Sequence, residues 1–174
     1  MFLVNTAHSG RVVGLRFLPD GLRLLSLGSD RRLRLWDESS GRNTLVNYGR
    51  VEVLSRMTVR MAVSPVECAA TLAYVPAASD IVAYDVEDGQ RVAVLRGHYG
   101  RVNCVTFSLA SHCLYSGAND RAILVWTPRG ADDDWPCGAG GVEGEVVGSG
   151  SRLGRFARRV GGGAADSWSS DDDS

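Results

Sequence analysis

The pattern His-x-Gly-Arg-Val occurs twice, as His8-Ser9-Gly10-Arg11-Val12 and as His98-Tyr99-Gly100-Arg101-Val102. Counted from each histidine, a serine follows at +18 (Ser26, Ser116), an aspartate at +22 (Asp30, Asp120) and a tryptophan at +28 (Trp36, Trp126). Four chemically unlike residues at identical intervals in two places mark a repeat. Repeats of this length are supersecondary units that bury their apolar faces only against one another.

The four side chains suit one another as a closed hydrogen-bond chain. An indole N–H only donates, a carboxylate only accepts, and serine and neutral histidine do both. A run from Trp36 through Ser26 and His8 to Asp30 therefore satisfies every polar group inside an apolar unit, and Trp126, Ser116, His98 and Asp120 repeat it. The competing reading is a Ser-His-Asp nucleophilic triad, which is recognised by geometry and not by residue types. No G-x-S-x-G turn surrounds either serine, and Ser26 lies between Leu25 and Leu27 in a strand-like run. The duplicated, Trp-terminated constellation reads as a structural network, and no enzyme activity is expected.

Between the turn signals Pro19-Asp20-Gly21, Ser29-Asp30 and Ser39-Ser40-Gly41 lie short runs: Arg11 to Phe17, Leu22 to Leu27, Leu33 to Trp36 and Thr44 to Tyr48. Their length and their Val, Leu and aromatic content predict strands, and no segment shows helical periodicity over ten residues. A middle copy opens at Asn47-Tyr48-Gly49-Arg50-Val51 but lacks the histidine, and Tyr84-Asp85 takes the Trp-Asp place some nine residues late. From Pro128 onward, glycine and aspartate dominate, as in Asp132-Asp133-Asp134 and Asp171-Asp172-Asp173. Such a segment buries too little apolar surface to offset its ordering entropy and is expected to be disordered.

Composition narrows the function classes. The formal net charge of −1 does not favour direct nucleic-acid binding, and no apolar run approaches the ~18 residues of a membrane span. Cys68, Cys104, Cys113 and Cys137 show no C-x-x-C spacing, which predicts reduced thiols and neither a disulfide framework nor a metal site. All nineteen basic residues other than histidine are arginine, so lysine chemistry is excluded, and nothing implies a cofactor.

The Gly97-His98 step, the turn from Ser116-Gly117 to Asp120 and the closing Trp36-Asp37 resemble the WD-repeat family. That resemblance implies an all-β fold, a β-propeller fragment of about three four-stranded blades. Residues 1–7 would be the outer strand of a preceding blade, 8–48 a blade, 49–96 a degenerate blade, 97–127 a blade lacking its outer strand, and 128–174 the disordered tail. Asn5 to Gly10, Asn43 to Gly49, Leu95 to Tyr99 with Leu114 to Gly117, and the ending Asp166 to Asp171 further resemble the C-terminal portion of the Cockayne syndrome group A family. This resemblance implies a nuclear interaction protein, a substrate receptor of a cullin–RING ubiquitin ligase in transcription-coupled nucleotide-excision repair. Its implied partners are the large damaged-DNA-binding adaptor and the stalled RNA polymerase II repair complex. Such receptors have seven blades; a shortened scaffold without receptor activity is the alternative.

Arg11, Arg50 and Arg101 each precede an expected inner strand, at one rim of the channel, and are candidate partner contacts. Arg152, Arg155, Arg158 and Arg159 form a second basic run. Trp168 is a candidate docking residue in the acidic end, and Ser169 and Ser170, three residues ahead of Asp172 and Asp173, are candidate phosphorylation sites.

Overall fold

The computed structural model describes residues 6–53, 57–65 and 70–127, together with the strand backbones of 141–142, 145–147 and 156–160. These residues form three antiparallel sheets and no helix. The first sheet contains β1 (Val12–Phe17), β2 (Arg23–Gly28) and β3 (Leu33–Asp37) in that order. The second is built on β4 (Ala62–Val63), β5 (Leu72–Ala77), β6 (Asp80–Asp85) and β7 (Arg91–Arg96). The third is built on β8 (Val102–Ser108), β9 (Cys113–Ala118) and β10 (Ile123–Thr127).

The middle sheet explains its own sequence. Its strands read as nearly unbroken apolar runs because both faces are covered. Val75, Val82, Tyr84 and Val94 pack with Leu25, Leu27 and Leu35 of the first sheet. The intervening Tyr74, Ile81, Ala83 and Leu95 pack with Val105, Leu124 and Trp126 of the third. The two flanking sheets each keep one open face, and Leu15 and Phe17 on β1 are 62% and 53% exposed.

Two expectations are revised here. Thr44 to Tyr48 is not a strand. The outer position of the first blade is held by the Trp36–Asn43 bridge, by Asp37 N–H donating to the Arg42 carbonyl at 2.9 Å, and by Thr44, whose N–H and hydroxyl donate to the Leu35 carbonyl at 2.9 and 3.1 Å. The chain then turns away. Asn43 Oδ1 accepts from Leu45 N–H at 2.8 Å, Leu45 has φ of 64°, and Asn47 Oδ1 accepts from the N–H of Gly49 at 3.0 Å. Side-chain-to-backbone bonds of this kind compete with strand pairing. The turn delivers Tyr48 to the neighbouring blade, where its hydroxyl donates to the Val86 carbonyl at 2.7 Å and its ring meets Tyr84 edge-on at 6.0 Å.

The third blade does not end at β10. β11 (Gly141–Val142), β12 (Glu145–Val147) and β13 (Phe156–Val160) all lie in the segment expected to be disordered. β13 pairs antiparallel with β10 from Thr127–Phe156 to Ile123–Val160, supplying a fourth strand, and β11 pairs with β13. β12 pairs with β7 of the middle blade. Composition misjudged these segments because strand addition satisfies the open ladder groups of an edge and needs little apolar burial. Arg158 and Arg159 are therefore strand positions. Residues 1–5, and with them most of the expected preceding strand, lie outside the described residues.

Candidate functional site

Register places the repeat residues before any side chain is considered. Trp36 pairs with Leu24 and Trp126 with Leu114, while Ser26 and Ser116 sit two residues further along β2 and β9. In each blade this brings the serine and the tryptophan, neighbours on the same face of adjacent strands, to the histidine that leads into the inner strand.

Both constellations close. In the first blade, Trp36 Nε1–H donates to Ser26 Oγ at 2.7 Å, Ser26 Oγ lies 2.7 Å from His8 Nε2, and His8 Nδ1 lies 2.9 Å from Asp30 Oδ1. In the third, the corresponding distances for Trp126, Ser116, His98 and Asp120 are all 2.8 Å. One donor order satisfies each chain: indole to hydroxyl, hydroxyl to Nε2, Nδ1–H to carboxylate. Ser26 and Ser116 are each only 2% exposed. The aspartates also tie down the turns: Asp120 accepts from Tyr99 N–H at 3.0 Å and Ala122 N–H at 2.9 Å. The glycine two residues after the histidine is required by close approach. A Cβ on Gly100 would stand 2.7 Å from the backbone nitrogen of Asp120.

The two tetrads differ at one position that the sequence comparison passed over. Arg34 lies two residues before Trp36, where the third blade has Leu124. Its Nη1 donates to Asp30 Oδ2 at 2.9 Å and also lies against His8 Nδ1. Burial opposes ionisation of Asp30, but Arg34, His8 and the Ser9 N–H outweigh it and hold the carboxyl at about 2. Asp120 is lowered in the same sense: burial raises it, and the bonds from Ala122, His98 and Tyr99 overcome that. A carboxylate depressed in the folded state stabilises above its unfolded value near 4 and loses that contribution as pH falls toward its folded value. For Asp30 the contribution is on the order of 2 kcal/mol. The Tm measured against pH should therefore drop between about pH 4 and pH 2. In Arg34→Leu the drop over that window should be shallower and the Tm at pH 7 lower; an unchanged acid limb would remove Arg34 from this role.

The middle blade reaches the same architecture without the network. Tyr84 pairs with Ala73, as Trp36 does with Leu24, and two residues along β5 the serine place is taken by Val75, fully buried. Asp37, the acid of the Trp-Asp pair, works outside the tetrad. Its Oδ1 accepts from Ser39 Oγ, Ser40 N–H and Ser40 Oγ, each at 2.7 Å, which hold its pKa at about 2.

The three candidate arginines share one end of the blades. Arg11 and Arg101 directly precede β1 and β8, and their carbonyls accept from Ser29 and Asn119 N–H at 2.8 and 2.9 Å. Val51 N–H donates to the Arg31 carbonyl just as Val102 N–H donates to that of Ala78, so Arg50 stands at the matching place. Arg50 does not open β4, however: Arg60 bridges to Cys104 of the third blade, and the ladder with β5 starts at Ala62. The longer connection from Arg50 to β4 accounts for most of the delay before Tyr84. Arg11 and Arg50 are exposed, whereas Arg101 is partly covered and reaches Asn103 Oδ1 and Met57 Sδ. Trp168, Ser169 and Ser170 lie outside the described residues. Among the described residues, no group of three or more His, Cys, Asp or Glu could hold a metal ion.

Comparison with known proteins agrees with this geometry. The family described as WD domain, G-beta repeat matches residues 2–37 and 89–127, the two segments that carry the tetrads. The chain is 42% identical over 131 residues to the WD repeat-containing protein ATCSA-1 of Arabidopsis thaliana, covering 74% of this chain and 28% of that protein. It is 30% identical over 126 residues to human pre-mRNA-processing factor 17, covering 68% of this chain and 20% of that one. The chain thus spans 28% and 20% of the length of these two curated relatives. Among solved structures, that of U3-55K superposes with a TM-score of 0.58 at 24% identity, over 70% of this chain and 37% of the other. Two hydrogen-bonded tetrads on stacked antiparallel blades, matched by family and by relatives, make this chain a WD-repeat protein of the β-propeller fold, similar over three-quarters of its length to ATCSA-1.

Proposed function

We propose that this WD-repeat interaction module is part of a substrate receptor for a nuclear cullin–RING ubiquitin ligase acting in transcription-coupled nucleotide-excision repair. On this reading it binds the large damaged-DNA-binding adaptor beside stalled RNA polymerase II. The observation that carries the reading is the 42% identity to ATCSA-1 across the described blades, together with the resemblance of Asn43 to Gly49 to the Cockayne syndrome group A family. That stretch makes the two side-chain-capped turns and the Tyr48 anchor between blades. A non-enzymatic role is supported by the serines, whose hydroxyls are buried and each accept an indole N–H.

Retention of the purified adaptor on the immobilised chain is the test. Binding that survives washing at physiological salt is expected. A folded chain, verified by a cooperative melt, that retains no adaptor would instead support a scaffold without receptor activity.

A further inference from the structure

The blades are electrically polarised from end to end. The end where the chain passes from the tetrad histidines into the inner strands, and from β2 to β3 and β9 to β10, carries exposed Arg11, Arg32, Arg50 and Arg121. Most acids at this end are engaged: Asp30 and Asp120 are held in the tetrads with side chains only 8% and 12% exposed, and Asp80 pairs with Arg96, while Glu52, 3.9 Å from Arg31, stays exposed. The opposite end carries six acids, Asp20, Asp37, Glu38, Asp85, Glu87 and Asp88, which outnumber its arginines: Arg23, bound between Asp20 and Glu87, and the exposed Arg42 and Arg91. A formal net charge of −1 thus conceals a basic surface and an acidic one. At this same end, next to His98 of the third blade, Tyr99 is 89% exposed. Arginine interleaved with an aromatic ring is the composition of a protein-binding patch.

The chain supplies an occupant of opposite charge at the right end. β13 runs toward this end and finishes at Val160, opposite Ile123, beside the turn that bears Arg121. Six residues further on is Asp166, which even a fully extended chain leaves within about 20 Å of Val160. Asp166, Trp168 and Asp171-Asp172-Asp173 follow, with no basic residue among the last fourteen positions. We propose that the acidic segment Asp166–Asp173 docks on this basic end in cis and shields it from acidic peptides of other proteins. Phosphorylation of Ser169 and Ser170, adding roughly 1.5 to 2 negative charges each, would tighten the closure. The inference goes beyond the receptor reading, and its test contains no ligase component, so the two can fail separately.

The test titrates a fluorescein-labelled peptide of residues 164–174 into the full chain. A second full chain has Asp166, Asp171, Asp172 and Asp173 changed to Asn. Effective concentrations for short tethers are in the millimolar range, so the tethered segment should mask the site from free peptide. The neutralised chain should bind the peptide about tenfold tighter than the unaltered one. The gap should close in 0.5 M NaCl, and peptide phosphorylated at both serines should bind more tightly still. Arg50→Ser with Arg121→Asn, in the neutralised chain, should abolish the gain; both positions are exposed, and asparagine suits the φ of 63° at 121. A matched Tm verifies that these variants fold. Equal peptide affinity of the two chains, insensitivity to salt or to the two arginine changes, or preference for a DNA duplex over the peptide would each overturn the proposal.

Discussion

Replacing Asp120 with alanine should destabilise the chain by about 2–3 kcal/mol, a fall in Tm of several degrees or more. The carboxylate accepts from His98 Nδ1 and from the Tyr99 and Ala122 N–H groups, and His98 is 6% exposed. Without the acceptor, a buried imidazole donor has no partner and no route to water, which costs ~1–3 kcal/mol by itself. Asp120→Asn keeps an acceptor toward His98 and should lose less. Ser116→Ala should approach the alanine effect, because it orphans both Trp126 Nε1–H and His98 Nε2. A double-mutant cycle between His98→Ala and Asp120→Ala measures the coupling. The double variant should be less destabilised than the sum of the singles by 1 kcal/mol or more, whereas additivity within ~0.5 kcal/mol would mean the network has no collective role. The middle blade supplies the physical contrast. With Val75 at the serine place it has no serine hydroxyl to satisfy there. A blade can be fully networked or apolar, and a half-satisfied network is the costly state.

In a reconstituted ubiquitylation reaction, the 174-residue chain with an acetylated amino terminus should form no amide-linked ubiquitin conjugates. Isopeptide formation needs a primary amine nucleophile, and every Lys-or-Arg position is arginine, whose delocalised guanidinium stays protonated. Arg50→Lys, at an exposed position of the basic end, should create an acceptor where none existed and restore conjugation. The expected change is from none to a readily detected product. A hydroxylamine-resistant ladder on the acetylated, unaltered chain would contradict the claim. If the chain is a ligase component, the same composition protects it from its own ligase.

How much of this was legible in the sequence differs from residue to residue. The tetrads were legible because their chemistry is local to each blade: intervals of 18, 22 and 28 residues are set by strand and turn lengths, and the donor and acceptor types leave one way to connect them. The all-β architecture followed from the same repeat. Arg34 was not legible as a tetrad partner, since a charged residue two places before tryptophan also suits a solvated strand face. Only the pairing of β2 with β3 shows that it reaches Asp30.

What tertiary structure alone decided were matters of non-local pairing and of sign. Thr44 to Tyr48 has strand composition, yet Asn43 and Asn47 cap turns within it that bring Tyr48 against Tyr84 of the next blade. Phe156 to Val160 lies in a glycine-rich context, yet it becomes a strand because β10 offers an unpaired edge within reach. The near-zero net charge is a sum over the whole chain, while a binding surface depends on where each charge lies. Only the common orientation of the inner strands leaves an excess of arginine at one end and of carboxylate at the other. Residue type and spacing determined the closed networks inside each blade; edges, faces and ends are properties of assembled sheets, and these were settled when the blades stacked.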